Sequence, residues 1–143
     1  MDVADLRKLI LRELDSAKQD AADRRLAVDA AQEAFGNVLR QRIVPLLRQC
    51  VAVLAAERFG FQTFAPAGSA RLVSERSPQE FVEFELDPAS MPPRVVGRVS
   101  LNRGRQGIIV EERAIGGDRA IADITDDDIL EFLLPAVRRL VTR

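Results

Sequence analysis

Four arginines, Arg94, Arg98, Arg103 and Arg105, fall within residues 94–106, a stretch that holds no acidic residue. A guanidinium is a planar fork of donors that grips phosphate or carboxylate in bidentate fashion, so this local excess is the chemistry of anion contact. Arg103 and Arg105 flank Gly104 in an expected hairpin turn, where a chain can approach a polyanion or an acidic protein surface. No aromatic residue is interleaved with them, which leaves single-stranded bases nothing to stack on. The plainer reading is a solvated tip that keeps a strand edge from pairing with another chain.

The acidic residues have structural explanations. Asp126-Asp127-Asp128, with Asp123 and Glu131 nearby, could offer oxygen ligands to Mg²⁺ or Ca²⁺. The same residues follow Thr125 where a helix begins, and carboxylates in a first turn complement the helix dipole. Glu111 and Glu112 are neighbours on an expected strand, so they point to opposite faces and cannot form an acid/base pair. Glu83 and Glu85 share one face and read as a solvated strand surface. Cys50 lies on an apolar helical face, and the chain has no His to activate it. Glycine-rich phosphate loops and a serine-nucleophile elbow are absent. No residue is assigned to catalysis, to a cofactor or to a metal.

Composition sets the frame for these residues. The 143-residue chain has 21 Lys+Arg against 22 Asp+Glu, a net charge of -1, so no global field for polyanions is implied. Among the basic residues only Lys8 and Lys18 are lysine, a bias that reads either as the codon usage of a GC-rich bacterial genome or as selection for bidentate contacts to phosphate or carboxylate. One Cys excludes an intrachain disulfide and fits a reducing compartment. The N-terminus lacks the basic head and apolar run of a signal peptide, and no apolar stretch is long enough to span a bilayer. A cytoplasmic protein with no membrane association is expected.

The elements that must position these residues begin with a long helix over 2–35. Its apolar seam runs Val3, Arg7, Ile10, Leu14, Ala17, Ala21, Arg24, Val28, Ala31, Phe35, Val38, a heptad register over about five heptads interrupted by two arginines. A strict 3.5-residue repeat favours a seam against another helix. At about 1.5 Å per residue the helix reaches roughly 50 Å, long for a domain of this size. Val3, Ile10, Leu14, Val28, Phe35 and Val38 are therefore the candidate dimerisation residues. The competing reading lays this helix on its own sheet. Gly36-Asn37 ends or bends it. A second helical pattern covers 37–58, with Pro45 as an expected kink.

From Phe59 the period switches to two. Strands are expected near 59–64, 70–75, 80–86, 94–101 and 107–113, with a further strand over 118–123 after the turn Gly116-Gly117. Pairing Leu101 with Ile108 sets Val99 against Val110 on the inner face and Arg98 against Glu111 on the outer face. The last helix starts at the cap Thr125, with Asp128 three residues on as an aspartate variant of the capping box. Its wide apolar face includes Ile129, Phe132, Leu133 and Leu140, Pro135 should kink it, and Arg138, Arg139 and Arg143 close its last turns.

The order predicts an α+β fold: a long N-terminal helix or helix pair, an antiparallel meander of four to six strands, and a C-terminal helix packed on the sheet. Residues 1–36 form the long-helix segment and 37–143 the α+β domain. The layout is similar to that of some small dimeric bacterial proteins, the YbaB-type nucleoid proteins among them. The likeness is one of layout with no shared motif, and fold analogy alone does not carry function. The leading expectation is a non-enzymatic cytoplasmic interaction protein, a homodimer through its N-terminal helices that binds a protein partner. The alternative is a nucleic-acid-associated protein using the arginine hairpin, with an enzyme third.

Overall fold

A computed structural model describes residues 1–142; the expected helix-closing Arg143 lies outside them. Helix α1 runs over Val3–Val38. Asp2 starts it, its Oδ1 accepting from the Ala4 amide at 3.3 Å. Gly36-Asn37 does not end it, because the buried apolar positions Phe35 and Val38 on either side hold the helical path. The helix instead widens into one π turn, Leu39–Ile43, before α2 takes over at Val44–Ala56. Pro45 stands in the first turn of α2, directly after the π turn, and has no amide to donate to the preceding helical turn. The Val44 amide reaches back five residues to the Leu39 carbonyl. The expected kink is thus a π turn just ahead of the proline.

Five strands follow: β1 (Phe61–Phe64), β2 (Ser69–Ser74), β3 (Phe81–Asp87), β4 (Arg94–Asn102) and β5 (Ile108–Ala114). They form one antiparallel meander in the order β1-β2-β3-β4-β5. The expected strand over 118–123 is not formed. Gly116 and Gly117, at φ +85° and +57°, turn the chain away from the sheet edge, and Ile121–Asp123 makes a short 3₁₀ turn. That turn lies against α1.

Helices cover one face of the sheet. Phe35, Val38, Leu39, Ile43 and Leu47 from the N-terminal helical run meet Ala70, Leu72, Val82, Phe84, Val95, Val99 and Leu101 from the strands. Helix α3 (Asp126–Val141) adds Ile129, Phe132, Leu133, Ala136 and Leu140 to the same core. The Phe132 ring meets Phe84 edge to face, with centroids 5.9 Å apart. It can do so because its neighbour across the sheet is glycine: a Cβ on Gly97 would stand 2.6 Å from the Phe132 ring.

The start of α3 follows the capping box read from sequence. The Asp128 amide donates to Thr125 Oγ1 at 3.2 Å and the Thr125 amide donates to Asp128 Oδ2 at 2.9 Å. The backbone hydrogen bond from Thr125 holds the Asp128 carboxyl below its ordinary 3.8, helped by the Thr125 side chain and Arg119. A lowered acid favours the charged form in the folded chain. Its contribution is complete above 3.8 and is lost as pH falls through the folded value. Asp128→Asn is therefore expected to lower the melting temperature at neutral pH, with the gap to wild type closing in the acid range. Melts at several pH values check this; a gap that does not change with pH would contradict it.

Candidate functional site

The structure separates the four arginines that stand together in sequence. Arg94 opens β4 beside Asp87, at 3.9 Å and largely exposed. Arg98 lies mid-strand on the face of the sheet that carries no helix. Arg103 and Arg105 sit in the turn between β4 and β5, about 30 Å from Arg94 at the rise of an extended strand. They do not converge on one ligand.

Arg98 is held by three carboxylates: Glu83 at 2.6 Å, Glu85 at 2.7 Å and Glu112 at 2.8 Å. The Glu85 hydrogen bond, above all, holds its guanidinium in the charged form, against the opposing effect of burial. The expected partner Glu111 is replaced because the hairpin register differs by one residue. Leu101 pairs with Ile109, Val99 with Glu111 and Arg98 with Glu112. Val110 consequently lies on the helix-free face and is 53% exposed, not in the core. Glu111 lies on the other face and pairs with Arg139 of α3, whose hydrogen bond holds its carboxyl below the usual carboxylate range.

Register also aligns Arg71, Glu83, Arg98 and Glu112 directly across β2, β3, β4 and β5. Charges of alternating sign thus lie side by side, and Arg71 is paired with Glu83 and lies over the Phe81 ring, 4.1 Å from its centroid. Glu83 is only 4% exposed, so its reading as a solvated strand residue is corrected: two arginines cover it. The ladder is a structural clasp on the sheet. Its signal in sequence was the charge alternation, but only the strand register could align it.

What remains chemically available at the hairpin is Arg103 and Arg105. Both are exposed, and neither forms an ion pair among the described residues. The turn is closed by the Arg103 amide donating to the Gly107 carbonyl at 2.9 Å, with Gly104 and Gly107 at positive φ. Other groups are engaged. Asp126 pairs with Arg42 at 3.2 Å and Asp128 with Arg119. Among the described residues no cluster of Cys, Asp or Glu is arranged to hold a metal ion. Cys50 is half-buried, and desolvation pushes its thiol up, away from the nucleophilic thiolate. A groove of about 850 Å³ lies beside Ala27, Ala30 and Ala34 of α1, and a second of about 620 Å³ borders Gly116 and Gly117. The second is lined by Arg119 and Asp128, which already pair with each other.

The other candidate surface is α1, and the structure divides its expected seam. Phe35 and Val38 are buried in the chain's own core, and Val28 is half-buried near it. Those positions serve the reading in which the helix lies on its own sheet. Upstream the helix leaves the domain, and every residue from Met1 to Ala21 is exposed. Val3, Ile10 and Leu14 are 79%, 49% and 51% exposed, and Leu6 and Leu11 stand beside them at 46% and 47%. No helix among the described residues is long and apolar enough to cross a membrane. Comparison with known protein families, with curated proteins and with solved structures gives no match.

Proposed function

We propose that the chain is a non-enzymatic interaction protein that pairs with a second copy through the projecting part of α1 and presents its α+β domain to a protein partner. One observation carries this reading. The apolar stripe buried at Ala31, Phe35 and Val38 continues without a change of register through Val28 to Leu14, Ile10 and Val3, where nothing among the described residues covers it. About 30 Å of helix stands free of the domain. Free helices owe most of their stability to packing of an apolar face, so this one is incomplete without a partner. A second copy supplies an identical stripe in the same register. The projecting segment carries mixed charges on its other faces, which suits a paired helix in water. The lack of His and the engagement of the acidic residues support a binding role over an enzymatic one. The free Cys50 thiol supports a reducing, cytoplasmic setting.

Linked association and folding make the melting temperature depend on concentration. The wild type is expected to melt at rising temperature over a roughly twentyfold increase in concentration. A melting temperature that does not move would contradict pairing.

A second reading, contact with nucleic acid through the hairpin turn, is favoured by the free Arg103 and Arg105. Replacing both with Ser should leave stability within about 0.5 kcal/mol, since neither side chain forms an ion pair or a hydrogen bond among the described residues. If DNA binds there, the same change weakens affinity and flattens its salt dependence by up to about two charge contacts. Affinities at two salt concentrations decide this; equal affinities and slopes would return the tip to a solvated turn.

A further inference from the structure

We propose that the two helices pair parallel and in register over Val3–Val28, which places both α+β domains at the same end of the coil. This rests on the self-association reading above and adds the direction of pairing. Two columns of residues border the seam. One holds Leu6, Glu13, Asp20 and Ala27; the other holds Leu11, Lys18 and Arg25. Each acid of the first column stands five residues before a base of the second, Glu13 before Lys18 and Asp20 before Arg25. In a parallel, in-register coil these flanking positions of opposite columns face each other across the seam, and their charges set orientation. Glu13 then meets Lys18 of the second copy, and Asp20 meets Arg25. In an antiparallel coil each column faces itself, which sets acid against acid and base against base.

All four side chains are exposed, and none is ion-paired within the described residues, so they are free to make these contacts. Arg7 and Arg24 interrupt the apolar seam. Their long stems can lie along it while the guanidinium groups reach water. A polar seam position lowers stability and narrows the permitted registers. Burial of Ala31, Phe35 and Val38 in the domain ends the paired stretch near Val28. The consequence is a two-headed particle, with two hairpin turns and two sheets offered to one partner at a raised effective concentration.

Cysteine linking tests the direction in a Cys50→Ser background. Val3→Cys and Ala21→Cys are placed in the seam, and Asp15→Cys on the outer face as control; all three positions are exposed. Each variant is oxidised alone while its mass is followed by light scattering. In a parallel, in-register pair Val3→Cys and Ala21→Cys each link to themselves at least about tenfold faster than Asp15→Cys, because the paired thiols meet at millimolar effective concentration. A dimeric mass with no preferential self-linking at either seam position would overturn parallel pairing and leave self-association standing. Monomeric masses for all variants and for wild type would overturn both.

Discussion

Truncating Leu133 to alanine is expected to lower the unfolding free energy by about 2–5 kcal/mol. Leu133 has no exposed surface and lies where α3 packs on β3 and β4. Its removal forfeits burial and leaves a void that the neighbours cannot close. Phe132 beside it is fixed in the notch above Gly97 and against Phe84, so the helix cannot simply slide into the gap. For a chain of this length the loss corresponds to a drop of roughly 5–15 °C in melting temperature. Leu134, on the same helix but 58% exposed, supplies the control, and its truncation should be nearly silent. An unchanged melting temperature for Leu133→Ala would show that α3 is peripheral to the fold.

Replacing Arg98 with Met should cost about 2–3 kcal/mol, the next largest effect. The change removes three charged hydrogen bonds and leaves Glu83, buried at 4% exposure, with Arg71 as its remaining cation partner. The expected figure stays below that for a fully buried ion pair because the Arg98 side chain keeps 27% exposure and water screens part of the loss. Arg94→Met removes an exposed contact at 3.9 Å and should change stability by no more than about 0.5 kcal/mol. Urea unfolding of the two variants compares them directly. Equal stabilities would contradict the view that Arg98 is a clasp and Arg94 a surface charge.

A cross-strand carboxylate for Arg98 was legible in the sequence, but its identity was not: Glu111 was expected, and Glu83, Glu85 and Glu112 hold it. Ile108, Ile109 and Val110 are all apolar, and Glu111 is followed by Glu112, so the β4–β5 hairpin satisfies the same pattern in either of two adjacent registers. The turn decides between them. Positive φ at Gly104 and Gly107 closes a five-residue loop, Arg103 to Gly107, and fixes Asn102 opposite Ile108. Residues 118–123 misled for a related reason. Ala120, Ile121 and Ala122 have the hydrophobicity of a strand, but two glycines at positive φ direct them onto α1. The capping box at Thr125 and Asp128 was readable because its signal is local, three residues wide and independent of register. The alternation of β3 and β4 was readable for the same reason. The long helix was legible as a stripe, but its division into a buried end and a projecting end depends on where the sheet lies, which is a tertiary fact.

The most direct measurement is the mass in solution by light scattering at tens of micromolar, for wild type and for Ile10→Asp/Leu14→Asp. These two positions are exposed on the projecting helix, so the substitutions leave the domain core intact while placing charge in the paired seam. The expected wild-type mass is near twice the 15.9 kDa of one chain, and the expected variant mass is near 15.9 kDa with an unchanged fold by circular dichroism. A wild-type mass of 15.9 kDa across that range would contradict pairing through α1, and so would a variant that remains dimeric.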